Sequence, residues 1–294
     1  MKEKFVDINF SDEIRDRIRQ ANEIIDAYQA QGLRLTLRQL YYQFVTKNYI
    51  TNEERSYKNL GKAISNGRLA GLIDWDAIED RVRVPKPPNE FQSLESLVEA
   101  AFRSFRLPRW KGQEYYAELW VEKDALSGVL EPLAREFHVT MMVNRGYSSQ
   151  SAMYEAGRRF AEKDNDGYRT VLFYLGDHDP SGEDMVRDVQ DRLQRFGSEV
   201  EVKKIALTMA QVNQHNPPPN PAKMSDSRAK AYVEEHGASS WEVDALPPEV
   251  LNDLIRESFE EILDRDKMDE VIAKEESEKK LLREAVKNLR KNGD

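Results

Sequence analysis

The feature that most constrains the fold is a regular alternation that begins at Tyr115. Stretches at 115–121, 139–143, 170–175 and 199–206 read as strands, and the intervening stretches at 125–137, 150–162 and 183–196 read as helices. Strand–helix alternation predicts an α/β domain with a mostly parallel sheet flanked by helices. Two of these strands end in carboxylates. The first runs into Glu122, and the third runs into Gly176-Asp177-His178-Asp179-Pro180-Ser181-Gly182. Ligands of open α/β sheets bind at the carboxyl ends of strands. If the two strands are parallel neighbours, Glu122, Asp177 and Asp179 meet at one sheet edge. Three carboxylates do not sit together ionised and unpaired, and a hard divalent cation is the usual remedy. The expectation is Mg²⁺, with Mn²⁺ as the substitute, serving phosphodiester chemistry. His178 points away from that edge if the segment is extended.

Composition narrows the classes. The 294 residues fit one large or two modest domains, with 39% hydrophobic and 33% charged residues. There is no cysteine, which excludes thiolate metal sites and disulfide scaffolds and fits a reducing cytoplasm. Met1 to Phe10 is charged and lacks the apolar centre of a signal peptide, and no run approaches the length of a membrane span. A net charge of −9 argues against a general nucleic-acid binder. The charge is unevenly spread, however.

The first 88 residues are the expected home of a separate helical unit. Ser11 is a candidate N-cap, followed by Ile18, Ala21, Ile24 and Ile25 at helical spacing. Thr36 and Gln39 form a capping-box signature, and Leu37, Leu40, Tyr41 and Phe44 then mark one apolar face. Tyr42 lies off that stripe. Arg38 precedes it by four residues, so guanidinium and phenol share a helix face. A phenol titrates near ~10 and attacks poorly until its anion is stabilised, which a neighbouring Arg can do. Read alone, such a pair is more often simple surface stacking. Thr51 and Glu54 suggest a second capping box. Arg55, Lys58 and Lys62 then share a face, with Arg68 after an Asn66-Gly67 stop. Two short capped helices, the second with a basic stripe, fit a helix-turn-helix or winged helix that grips phosphates without reading bases. An ordinary solvated face fits the stripe equally well.

The proline-rich segment at 84–89 is the best domain boundary. A helix is expected over 93–105. Asn144 to Ser149 follows the second strand. It either contacts phosphate through Arg145 or is a plain turn capped by Ser148 or Ser149. Asn216-Pro217-Pro218-Pro219-Asn220-Pro221 must be extended and stiff. Trp241 to Leu246 mixes acidic and apolar residues. From Glu249 to Lys291 the chain reads as charged helix whose apolar face thins beyond Asp266. The expected organisation is a cleavage and DNA-binding unit over 1–88, a metal-binding unit over 89–246 and a helical C-terminal extension over 247–294. There is no internal repeat, Walker loop or Rossmann glycine fingerprint.

Taken together, these motifs resemble two linked modules. Glu122 followed by Asp177-His178-Asp179-Pro180-Ser181-Gly182 resembles a Toprim domain. Thr36-Leu37-Arg38-Gln39-Leu40-Tyr41-Tyr42 resembles the winged-helix motif of the topoisomerase VI A subunit and its meiotic double-strand-break relative. Trp241 to Leu246 loosely matches a segment near that family's C-terminus. The resemblance spans roughly 35–246, in the family's order, in a chain shorter than a typical A subunit. It implies a type IIB topoisomerase A-like enzyme that cleaves double-stranded DNA by tyrosine transesterification. Tyr42 would attack, Arg38 would assist, and Glu122, Asp177 and Asp179 would bind Mg²⁺. It further implies a cytoplasmic homodimer in which Tyr42 of one copy reaches the metal site of the other, and a separate GHKL-type ATPase for strand passage. Three alternatives stay open: a Toprim nuclease that uses activated water, a non-catalytic DNA-binding or bridging protein, and a Toprim primase.

Overall fold

The computed structural model describes residues 1–78, 88, 90–144, 146, 148–222, 224, 226 and 228–291. The chain opens with three helices, α1 (Asp12–Gln29), α2 (Leu37–Thr46) and α3 (Glu54–Leu69). Ser11 caps α1 by accepting from the Ile14 N–H, and Thr36 with Gln39 forms the expected capping box on α2. The apolar stripes of all three meet in one core built on Ile18, Ile25, Leu40, Phe44, Leu60 and Ile64. The capping box expected at Thr51 does not form. Helix α3 starts at Glu54 without a side-chain cap, and the Thr51 hydroxyl lies 3.0 Å from that of Ser56. Nor does Asn66-Gly67 stop the helix. Gly67 sits inside α3 because a Cβ there would come within 2.9 Å of the Ile73 side chain. The missing side chain lets the following loop fold back onto the helix. Among the described residues of this part only isolated bridges join extended segments, Lys4 with Ala70 and Leu35 with Ile78, and no paired strands form a wing. Apart from Pro88, the boundary expected at 84–89 lies outside the described residues.

After α4 (Leu94–Ser104) comes the expected sheet. Strands β1 (Tyr115–Val121), β2 (Thr140–Val143), β3 (Arg169–Leu175) and β4 (Glu201–Ala206) are all parallel, in the order β2-β1-β3-β4. Helices α5 (Ser127–Glu136), α6 (Gln150–Asn165) and α7 (Pro180–Arg195) make the crossovers. The period-2 alternation of a strand assigns the two faces. Leu119, Val121, Phe173 and Leu175 pack against α5. Trp120, Leu172 and Tyr174 pack against Met153, Phe160, Val189 and Leu193 of α6 and α7. Glu118 shares the second face and is fully buried. Arg159 grips it with two hydrogen bonds of 2.6 and 2.9 Å, and the Tyr116 hydroxyl and Trp120 indole complete its shell.

Beyond β4 the chain forms α8 (Met209–His215), the short strand β5 (Asn220–Pro221), α9 (Ala229–His236) and β6 (Ser239–Ser240). Helix α10 (Pro248–Ile262) places Leu251, Ile255 and Phe259 in the core on the α5 side of the sheet. The first half of the charged C-terminal stretch is therefore a structural layer. Helix α11 (Arg265–Lys291) runs back against α4 and buries Glu275. That carboxylate accepts from the Leu107 N–H, Arg109 and Lys279. Among the described residues no helix is long and apolar enough to cross a membrane.

Candidate functional site

From β1 the chain proceeds one way, through α5 to β2, while β3 lies on the other side. The carboxyl ends of β1 and β3 therefore flank the switch point of the sheet, where a crevice is expected. Val121 is in register with Leu175, so the residues that follow each strand emerge side by side. The Glu122 N–H donates to the Leu175 carbonyl at 2.8 Å, and Glu122 Oε2 accepts the Asp177 N–H at 3.2 Å. Gly176 makes this approach possible, since a Cβ there would lie 3.0 Å from Glu122 Oε2 and 2.7 Å from the Tyr174 ring.

Helix α7 begins at Pro180, three residues before the expected start at Glu183. Proline at the first helical position needs no N–H, and Asp179 becomes the N-cap. Its Oδ1 accepts from the N–H groups of Ser181 and Gly182 at 3.0 and 2.6 Å and from the Ser181 hydroxyl at 2.9 Å. His178 is drawn elsewhere. Its backbone exchanges hydrogen bonds of 2.8 and 2.9 Å with Trp241, and its ring lies among Tyr232, His236 and Trp241. That bridge carries the C-terminal segment to the ends of the strands.

The consequence is a cluster in which only part of the membership was foreseen. Val243 and Ala245 turn into the two cores, and Glu242 and Asp244 turn toward the crevice. Lys123, next after Glu122, places its ammonium 3.0 Å from Asp177 Oδ1, 2.8 Å from Glu242 Oε2 and 2.8 Å from Asp244 Oδ1. Asp177 Oδ1 also accepts the Val243 N–H at 2.9 Å. Helix α2 closes the other side. Tyr42 is buried, not on the surface, and its hydroxyl donates to Glu242 Oε2 at 2.5 Å. Arg38 donates to the Tyr42 oxygen at 3.3 Å and pairs with Glu242, and its Nε lies 3.2 Å from Asp244 Oδ2 without hydrogen-bonding alignment. Tyr41 is core, as its stripe requires, and its hydroxyl donates to Asn52 Oδ1. Asn52 in turn donates to Pro219 and Asn220, which ties the helical unit to the stiff proline loop.

Arg38, Tyr42, Asp177, Asp179 and Glu242 thus line one cleft of about 320 Å³, all from a single chain. The family resemblance implied that Tyr42 meets the carboxylates of a second copy. Within one chain, Tyr42 contacts Glu242 and shares the cleft with Asp177 and Asp179. Arg55, Lys58 and Lys62 are exposed along α3, with Lys58 paired to Glu54 at 2.7 Å. Arg68 is not on that face. Its guanidinium turns inward to the carbonyls of Trp75 and Ile78. Arg145 lies outside the described residues.

Electrostatics follow from burial and from these partners. Burial pushes Asp177 up to about 7, aided by Glu122 and Asp244 and opposed by Lys123. Burial raises Glu122 too, with Asp179 adding to the effect. Burial would also raise Glu242, but Lys123, the Tyr42 hydroxyl and Arg38 outweigh it and hold Glu242 at about 2. Asp177 and Glu242, two of the three carboxylates that share Lys123, diverge because Asp177 is the more enclosed and faces Glu122. Burial, Asp244 and Glu242 together hold the Tyr42 phenol above its ordinary range, so the resting phenol is protonated.

Among the described residues no three acidic or histidine side chains stand grouped to hold a metal ion as they are. The reason is visible in the contacts: Lys123 takes Asp177 Oδ1 and the α7 cap takes Asp179 Oδ1. The chemistry of the donors nonetheless fits a hard cation. All are carboxylate oxygens, and the Lys123 ammonium already supplies positive charge to one of them, Asp177, and to Glu242 and Asp244 beside it. Lys123, Glu242 and Asp244 were missed in the sequence because they lie outside the strand-end pattern. The only signals were the adjacency of Lys123 to Glu122 and two acidic residues alternating with apolar ones in Glu242-Val243-Asp244-Ala245. No protein-family model and no curated protein matches the chain.

Proposed function

We propose that the chain cleaves double-stranded DNA by transesterification, with Tyr42 as nucleophile. The observation that carries this reading is the convergence of the buried Tyr42, its partner Arg38 and strand-end carboxylates on one cleft. Tyr42 Oη would form a bond to a backbone phosphorus as the bond to the 3′ oxygen breaks, leaving a 5′-phosphotyrosyl link and a 3′-hydroxyl. The phenol proton points at Glu242, which receives it as the oxygen–phosphorus bond develops. Arg38, 3.3 Å from the phenol oxygen, stabilises negative charge there and on the phosphate. As an alternative to binding metal, Glu122, whose pKa burial raises, would return a proton to the leaving 3′ oxygen. Glu122, Asp177 and Asp179 would hold Mg²⁺ or Mn²⁺, which supplies positive charge beside the developing oxyanion. Arg55, Lys58 and Lys62 would contact flanking phosphates and offset the chain's acidity. Dimerisation and a GHKL-type ATPase partner belong to the same proposal and would decide between strand passage and cleavage alone.

Incubating supercoiled plasmid with the protein and Mg²⁺ or Mn²⁺, then stopping with detergent and protease, tests the reading. The expected result is breaks capped by protein in the wild type and none with Tyr42→Phe. Unchanged cutting by Tyr42→Phe would assign the reaction to activated water instead. Binding without any nicking under either metal would leave a DNA-bridging protein.

A further inference from the structure

The proposed reaction leaves Lys123 without a task, and its setting is unusual. Its ammonium contacts three carboxylates from two parts of the chain, at 2.8 to 3.0 Å, and only 18% of its side chain is exposed. Asp177 comes from the end of β3, and Glu242 and Asp244 come from the segment bridged to it by Trp241. Surface lysines seldom lose this much hydration, because a compact ammonium is strongly solvated. Here the carboxylates replace the water. Extended backbone at Lys123 turns its side chain away from that of Glu122, so both neighbours bear on Asp177 from different sides.

We propose that Lys123 is a built-in counter-ion for Asp177, the carboxylate that its nest shares with the proposed Glu122, Asp177 and Asp179 metal set, and that a divalent metal must displace it from that oxygen. The inference rests on reading Glu122, Asp177 and Asp179 as the metal holder. Distance supports it. The ammonium lies 3.0 Å from Asp177 Oδ1, farther than the about 2.1 Å of a Mg²⁺ bond. Metal binding at that oxygen therefore requires Lys123 to leave it. This accounts for a set of carboxylates with suitable chemistry whose resting geometry does not suit a metal. It also gives the resting chain a partly neutralised site: the seated ammonium pairs with Glu242, which keeps the Tyr42 hydroxyl engaged. A structural ion pair alone would stabilise the fold and leave metal affinity untouched.

Mn²⁺ binding separates the two roles and needs no DNA. Free Mn²⁺ is measured by electron paramagnetic resonance during titration of wild type, Lys123→Met, and Lys123→Met combined with Asp177→Asn. Methionine keeps the length of the chain and removes the charge. Lys123→Met is expected to bind Mn²⁺ at least tenfold more tightly than wild type, and the added Asp177→Asn change is expected to abolish the gain. Equal or weaker binding by Lys123→Met overturns the proposal. Thermal melting supplies a second readout in case the variant folds poorly. In chelator Lys123→Met should melt lower than wild type, and Mn²⁺ should restore it by more than it shifts wild type. Failure of Mn²⁺ to restore it also overturns the proposal. Because neither readout involves Tyr42 chemistry, a tenfold gain can stand while Tyr42→Phe still cuts, and protein-capped breaks can stand with no gain.

Discussion

Phe259 on α10 offers a test of whether the C-terminal helices hold the site in place or merely trail from it. Its ring is fully buried and stacks on Phe137 at 5.0 Å, meets Phe173 edge-on at 5.0 Å and approaches Trp110 at 6.3 Å. Phe173 belongs to β3, the strand that ends in Asp177, and α10 follows directly on Glu242 and Asp244. Truncation to Ala removes the buried ring and leaves a cavity among rigid aromatic neighbours that cannot collapse into it. Large-to-small changes of this kind cost about 3–5 kcal/mol, and three aromatic contacts place this one toward the upper end. That is a large part of the roughly 5–15 kcal/mol typical of a folded domain. At about 2–4 °C per kcal/mol for a body of this size, Phe259→Ala should melt roughly 8–20 °C lower. Urea unfolding followed by circular dichroism should show a lower midpoint with an unchanged slope. Leu281→Ala, at a side chain 63% exposed on α11, should change stability by no more than about 0.5 kcal/mol. A loss below about 1.5 kcal/mol for Phe259→Ala would refute the view that α10 is part of the sheet's core.

Other outcomes follow from named contacts. Asp179→Ala removes the side-chain cap of α7 and should lower stability by about 1 kcal/mol, readable as a urea midpoint, whereas Asp179→Asn should retain most of it. Arg159→Ala strands the buried Glu118 carboxylate and should cost about 3–5 kcal/mol by the same assay, and a loss under ~1 kcal/mol would show that Tyr116 and Trp120 suffice. Burial would raise Glu275, but Lys279, the Leu107 N–H and Arg109 hold it at about 2 when folded, against an ordinary 4.5. Its stabilising contribution is therefore complete above pH ~4.5 and fades as pH falls toward ~2. Glu275→Gln should flatten the acid limb of the stability curve over that window. An unaltered limb would mean that the carboxylate does not tie α11 to the 107–109 segment.

The sheet was legible because β1 and β3 are largely apolar on both faces and the strands alternate with helical stretches, so period and length gave the same answer. Strand β1 falls on the expected residues, and the other three begin within two residues of them. The carboxylates at the ends of β1 and β3 followed from that order alone. Tyr42 was harder to place. It lies off the apolar stripe of α2, yet it is buried in the helical core, and its hydroxyl partner Glu242 is 200 residues away with no local signature. Arg68 misled because Asn66-Gly67 reads as a helix stop. Only the tertiary approach of Ile73 explains why the glycine sits within the helix. Helices α8 and α9 escaped notice in a segment dominated by its prolines, although Thr208 and Gln211 form a capping box there.

Mass spectrometry of the protein recovered from a detergent-stopped digestion with a labelled duplex bears most directly on the catalytic claim. The account predicts a nucleotide-bearing tryptic peptide containing Tyr42, joined through the phenol oxygen to a 5′-phosphate, present with Mg²⁺ or Mn²⁺ and absent with Glu122→Gln. Cleaved DNA accompanied by an unmodified Tyr42 peptide would contradict it.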